Sequence, residues 1–276
     1  MTICDKKRML LEKENYGVSD LVTLVEVLRS KEGCPWDREQ DHKSIRKDLI
    51  EETYEVIEAI DTDNSELLLE ELGDLLLQIV FHTQMEREAG GFNIDDVADG
   101  ICSKLIHRHP HVFADVEADT SDKVLTNWEK IKSEEKQRVT VTDKLRAIPP
   151  MLPALMRAEK VGKKASCFDF PDADSVMVKV REELSELEEA VDKGDNVNIE
   201  EEMGDLLLTL TSLCRKLKID PERSLFNATE KFIDRFEAVE KQVISEGYDI
   251  NELKTEQLDA IWDKNKQKIA KNNKKS

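Results

Sequence analysis

The feature that most constrains this chain is a repeat. Glu51-Glu52-Thr53-Tyr54-Glu55 returns as Glu182-Glu183-Leu184-Ser185-Glu186. Glu70-Glu71-Leu72-Gly73-Asp74 followed by three leucines returns as Glu201-Glu202-Met203-Gly204-Asp205 followed by three leucines. The offset is 131 for both blocks (182 − 51 and 205 − 74). Two separated blocks at one offset mean a tandem duplication, so a fold assigned to one half has to serve the other. A chain of 276 residues gives each half enough length to bury its own core.

The repeated unit reads as helical. Leu21, Leu24, Val25 and Leu28 form one stripe, and Leu49, Val56, Ile57 and Ile60 form another. Residues 65–87 are apolar on nearly every side, which predicts a buried helix. Further helical patterns run near 94–108, 121–138, 154–165, 174–193, 198–217, 222–246 and 255–270. Ten glycines and seven prolines in a chain that is 37% charged leave too few turns for a barrel or sandwich. The expected fold class is all-α, with two tandem helical-bundle domains at 19–138 and 154–270. A linker at 139–153, carrying Pro149, Pro150 and Pro153, joins them, and a basic tail occupies 271–276.

Charge bounds the partners. A formal net charge of −19 opposes binding to nucleic acid or to an anionic membrane, both of which call for basic surfaces. No uncharged stretch approaches the length of a membrane span, and the first residues do not form a signal peptide. The five cysteines are widely spaced, so they are expected to be reduced, mostly buried thiols of a cytoplasmic protein. A phosphate-bearing substrate remains compatible with this charge if divalent cations stand between it and the acids.

Residues three or four apart share a helix face, so Glu52 and Glu55 point together, as do Glu71 and Asp74. In the second copy the same holds for Glu183 with Glu186 and for Glu202 with Asp205. These acids recur among apolar residues, where like charges about 4 Å apart repel by roughly 4 kcal/mol at an effective dielectric of 20. Such a group needs a compensating cation. The second copy has no histidine, and oxygen-only donors select a hard ion, Mg²⁺ or Mn²⁺, over Zn²⁺. Gly73 and Gly204 sit in mid-helix in both copies and point to close approach of a neighbouring helix or ligand.

Basic and aromatic residues follow each acidic block in the same order. Lys104 and Arg108 are four apart, as are Lys231 and Arg235; Trp128 and Lys132 are four apart, as are Trp262 and Lys266. Their recurrence marks them as candidates for holding phosphates. The cluster His107-Arg108-His109-Pro110-His111 has no counterpart in the second copy, and its alternating histidines broken by proline assign it a structural or second-sphere role.

A Glu-Glu-x-x-Glu block followed by Glu-x-x-Asp resembles the signature of the all-α nucleoside triphosphate pyrophosphohydrolases. The runs Gly33-Cys34-Pro35-Trp36-Asp37 and Arg108-His109-Pro110-His111-Val112-Phe113-Ala114-Asp115, with the tandem arrangement, resemble the MazG family within that group. The resemblance spans about residues 19–270. It implies helical bundles, a homodimer, and Mg²⁺-dependent hydrolysis of (deoxy)nucleoside triphosphates to monophosphate and pyrophosphate. Carried over by motif, Glu183, Glu186, Glu202 and Asp205 would be metal ligands, and Lys231, Arg235, Trp262 and Lys266 would contact nucleotide. Glu182 and Glu183 are both candidates for activating water. The chain departs from the family at Cys167-Phe168-Asp169-Phe170, where relatives often carry Gly-Phe-Asp-Trp, which puts base stacking there in doubt.

Rival readings fit less well. No Gly-x-x-x-x-Gly-Lys-Ser/Thr run is present, so a P-loop is absent, and a Nudix box is incomplete after Arg181-Glu182-Glu183. An acidic helical protein that only dimerises or regulates would place apolar residues beside Gly73 and Gly204. The two copies are expected to differ in activity, with the second carrying most turnover. Pro110 should end its helix just after Arg108, whereas the helix bearing Lys231 and Arg235 can continue to Glu246.

Overall fold

The computed structural model describes the backbone of residues 1–114, 116–135 and 140–272, with side chains through Lys266. Asp115 of the His-rich run, residues 136–139 at the expected domain junction and residues 273–276 of the basic tail lie outside the described residues. Every regular element among the described residues is helical. The chain forms two compact units, residues 1–132 and 133–276.

The first unit contains α1 (Ile3–Leu11), α2 (Val18–Arg29), α3 (Pro35–Glu39), α4 (Arg46–Asp61), α5 (Ser65–Glu88), α6 (Ile94–Arg108), α7 (Pro110–Phe113) and most of α8 (Ser121–Glu135). Its core gathers Val25 of α2, Ile45 just before α4, and Val80, Phe81 and Met85 of α5. α1 precedes the expected domain start and joins this unit by packing on α2, where Lys6 pairs with Glu26.

The chain leaving α2 folds back on that helix. A Cβ at Gly33 would stand 2.2 Å from the carbonyl oxygens of Val27 and Leu28, so only glycine fits there. Buried Arg29 then pins the returning segment. Its guanidinium donates to the carbonyls of Asp37 (2.6 Å) and Gln40 (3.1 Å), pairs with Glu88 at the end of α5 (2.9 Å), and lies 5.2 Å from the Phe81 ring centroid. Two histidines add a second tie. His42 Nδ1 and His82 Nδ1 are 2.8 Å apart, and His42 Nε2 is 3.0 Å from Glu86 Oε1.

α4 and α5 form an antiparallel hairpin whose turn explains its register. Asp63 adopts the left-handed conformation (φ 51°), and Asn64 caps α5 by accepting from the amides of Glu66 and Leu67, both at 3.2 Å. In the second unit, Gly194 adopts the same conformation (φ 66°) and Asp195 caps the next helix through the Asn198 amide at 3.3 Å. Positions 194 and 195 are 63 and 64 displaced by 131.

The second unit holds α9 (Val141–Arg146), α10 (Ala154–Lys164), α11 (Ala173–Lys193), α12 (Asn196–Leu217), α13 (Pro221–Ser245) and α14 (Thr255–Asn272). α9 lies within the stretch read as a linker. Thr140 and Asp143 cap its first turn reciprocally, and Ile148 beyond it is buried. α11 and α12 make the second hairpin, against which α10 packs. Asp169 ties the loop before α11 to α12 through Arg215 (2.5 and 2.6 Å) and Lys216 (2.8 Å), and Arg215 above all holds its carboxyl far below the usual range. Ala59 and Ala190 are fully buried at matching hairpin positions, where a small side chain lets the paired helices approach closely.

Two expectations are corrected. α5 is not buried all round, because Leu69, Leu72 and Ile79 are exposed and α4 covers only one of its faces. The cysteines are free, but Cys4, Cys102 and Cys167 are exposed and none is buried, since their positions lie outside both cores.

Candidate metal and phosphate site

The hairpin turns place the acids opposite one another. Glu55 and Glu71 each stand eight positions from Asp63 (63 − 55 and 71 − 63), and Glu52 and Asp74 each stand eleven (63 − 52 and 74 − 63). In an antiparallel pair, positions equidistant from the turn face each other. Glu186 and Glu202, and Glu183 and Asp205, repeat both spacings about Gly194. The folded chain follows this rule. Carboxylate oxygens of Glu52, Glu55 and Glu71 all lie within 4.8 Å of one another, as do those of Glu183, Glu186 and Glu202.

The electrostatics record the same register. Burial pushes the Glu52 carboxyl up, and the charge of Asp74 adds most to that, followed by Glu55 and Glu71. Burial raises Glu71, followed by Glu55, Glu70 and Asp74. Burial also raises Glu202, followed by Glu186, Glu183, Asp205 and Glu201. Asp74 and Asp205 thus act on their triads by charge while standing outside the 4.8 Å groups. Carboxylates that resist ionisation through burial and then through mutual repulsion, gathered on rigid helices and offering oxygen alone, suit a hard divalent cation.

One residue the sequence reading passed over separates the two triads. Lys179 Nζ lies 2.7 Å from Glu182 Oε1 and 3.0 Å from Glu183 Oε1, and Glu182 first and Glu183 next hold its ammonium above the ordinary lysine range. The corresponding first-half position is Asp48 (179 − 131). Among the described residues no cation pairs with Glu52, Glu55 or Glu71. Lys179 was recognisable as the fourth residue before Glu183, a spacing that brings opposite charges together on a helix.

The basic and aromatic candidates are positioned by the helices that follow each hairpin, α6 packing on α5 and α13 on α12. Arg108 is buried with its guanidinium 5.3 Å from the Trp128 ring centroid, and His109 meets that ring edge-on at 4.9 Å. His109 Nδ1 also lies 2.6 Å from the Leu105 carbonyl oxygen, in keeping with a structural part for this cluster. Lys132 pairs with Glu129 at 3.5 Å, and Lys104 is exposed. In the second half Trp262 packs 5.2 Å from Phe232, the neighbour of Lys231. Lys231 and Lys266 are exposed, while Arg235 Nε is buried with no hydrogen-bond partner among the described residues.

The glycine expectation is corrected within the single chain. Among the described residues a Cβ at Gly73 or Gly204 would meet nothing within 4 Å, so no described helix crowds either position. Trp36 and Phe168 are exposed ahead of the two acid helices, Phe168 almost completely.

Fold and site together define a duplicated helical protein in which each acid-bearing hairpin is followed by a helix carrying a lysine and an arginine four residues apart. The model of the MazG nucleotide pyrophosphohydrolase domain matches the chain twice, at residues 40–113 and 172–240, and the chain belongs to that family. It is 45% identical over 249 residues to the nucleoside triphosphate pyrophosphohydrolase/pyrophosphatase MazG of Thermotoga maritima, covering 90% of this chain and 94% of that one. It is 42% identical to the nucleoside triphosphate pyrophosphohydrolase of Escherichia coli K12, covering 89% of this chain and 95% of that one. A protein of the same name from Mycolicibacterium smegmatis is 40% identical over 154 residues, covering 55% and 47%.

Proposed function

We propose that this protein hydrolyses nucleoside triphosphates to the monophosphate and pyrophosphate, using Mg²⁺ held by its carboxylates. The observation that carries the proposal is the facing of Glu-x-x-Glu and Glu-x-x-Asp across both hairpins, with oxygens of the three glutamates in each set within 4.8 Å of one another. The names of the two relatives that match nearly their whole length support the reaction class.

In the second half Glu183, Glu186, Glu202 and Asp205 would hold the ion; in the first half Glu52, Glu55, Glu71 and Asp74 would do so. Mg²⁺, or Mn²⁺ in its place, supplies charge neutralisation and polarisation at the phosphate oxygens. The chain's own residues do the rest. Glu183 is buried and would hold the ion, whereas Glu182 is exposed and has one oxygen on Lys179, leaving the other to take a proton from water. The water oxygen bonds to the α-phosphorus as the bond to the departing pyrophosphate breaks. Lys231 and Arg235 meet the charge that develops on that leaving group, and Arg235 Nε is a buried donor with none of its own partners to give up. Trp262 and Lys266 hold the remainder of the nucleotide. Lys104, Arg108, Trp128 and Lys132 are the first-half counterparts.

A homodimer would cover the apolar residues left open on the acid-bearing helices, among them Leu69, Leu72, Leu207 and Leu208. No helix among the described residues is long and apolar enough to cross a membrane, and exposed free thiols fit a reducing cytoplasm. Turnover in ¹⁸O-labelled water tests the reaction. Label is expected in the monophosphate; label in the pyrophosphate means attack at the β-phosphorus and overturns that step, and label confined to orthophosphate means attack at the γ-phosphorus and ends the proposal.

A further inference from the structure

The two carboxylate triads are built to one pattern but carry different counter-charges. In the second, the Lys179 ammonium sits 3.0 Å from Glu183 and 2.7 Å from Glu182. Glu183 is nearly sealed from solvent, with its side chain 7% exposed, so its contact with Lys179 is screened far less than a surface pair. In the first, Asp48 occupies the matching position and adds a negative charge one helical turn before Glu52. After burial, the main charges that raise the Glu52 and Glu71 carboxyls are neighbouring acids.

A divalent ion entering the second triad therefore meets a resident cation. Glu183 has to exchange the ammonium for the ion, and two positive charges a few ångströms apart repel. The exchange is eased because Lys179 keeps its contact with Glu182, which projects to solvent on the same helix face. An ion entering the first triad displaces nothing and relieves repulsion outright. Resting on the reading that these triads hold a divalent cation, we propose that Lys179 is a built-in counter-ion of the second site: it holds Glu183 when metal is absent, competes with metal for it, and makes the second site the weaker metal binder of the two. Lys179 is a positioning residue, which offsets part of the second triad's charge when metal is absent, whereas the first triad has no such counter-ion among the described residues.

The test is a titration of the metal-free full-length protein with Mn²⁺, free ion being read by electron paramagnetic resonance. Two classes of binding are expected in the unaltered protein, and Glu202→Gln should abolish the weaker one. Lys179→Met should tighten the weaker class by roughly tenfold, the scale of losing one partly buried competing charge, so that the classes converge. Lys179→Arg, which keeps the charge, should stay close to the parent. Asp48→Lys should weaken the tighter class by a similar factor. Circular dichroism of each variant confirms folding, and Lys179, at 33% side-chain exposure, has room for methionine. Unchanged or weaker binding in Lys179→Met overturns the counter-ion proposal while leaving the metal site standing. An absence of saturable Mn²⁺ binding in every variant overturns both.

Discussion

In the first half, α6 stops at Arg108 and the chain turns at His109 (φ −118°, ψ 56°), because the residue before a proline is driven out of the helical region. In the second half nothing interrupts α13, which runs from Pro221 to Ser245 with Lys231 and Arg235 in its middle. The first half spends Arg108 on Trp128, whereas the second leaves Arg235 Nε without a partner beside Trp262 and Phe232. The first also carries the Arg29 pin and the His42–His82 contact; positions 173 and 213 of the second hold Ala and Leu instead. The lesson is that duplication preserved the local device, a left-handed residue and a cap between two mirrored acid pairs, while the surroundings diverged. At the matching arginines the second half leaves Arg235 Nε without a hydrogen bond among the described residues, and the first packs Arg108 against Trp128.

The sharpest way to break this comparison is to remove one acid at a time. Glu202→Ala or Asp205→Ala should cost on the order of 3 kcal/mol of transition-state stabilisation, roughly a hundredfold in pyrophosphate release. Glu71→Ala or Asp74→Ala should leave a substantial part of the activity. If the first-half variants are the dead ones, the working half is the other.

Metal should stabilise the fold, because only the folded hairpins gather the carboxylates. At a Mg²⁺ concentration a hundredfold above Kd the gain is about 2.7 kcal/mol, read as a higher Tm than in EDTA. An unchanged Tm would remove the reason for converging these acids.

The two arginines separate catalysis from packing. Arg235→Ala should slow turnover by about tenfold, or about 1.4 kcal/mol, with little change in Tm. Arg108→Ala should lower Tm by withdrawing a buried cation from Trp128 while leaving most of the rate. Equal effects on rate would make the halves equivalent.

A smaller effect distinguishes the halves by pH. Burial, aided by the charge on His42, depresses His82 below its ordinary 6.5, so the unfolded chain takes up that proton first. The stability involved is present above about pH 6.5 and is lost as pH falls below it. The loss of Tm between pH 8 and pH 5.5 should therefore be smaller in His82→Leu, which copies position 213; an identical loss would show that the histidine contact does not titrate with folding.

Much of this was legible without coordinates. The offset of 131, the 3.6-residue periodicity and the spacing of the acids determined a duplicated helical chain with carboxylates on shared faces, because helix geometry is local and fixes which residues lie side by side. The proline at position 110 announced the end of α6 for the same local reason. Even the register of the acids was present in the sequence, since Asp63 and Gly194 lie midway between the pairs, although a turn at Asp63 depends on a left-handed residue that is seldom non-glycine. The tertiary structure alone decided what depends on which faces meet. It placed Arg29 under the returning loop and Arg108 on Trp128, and it left Leu69, Leu72 and the space over Gly73 and Gly204 open. Composition makes a helix apolar all round, but burial is a property of neighbours, and α5 has a neighbour in this chain along only part of its surface.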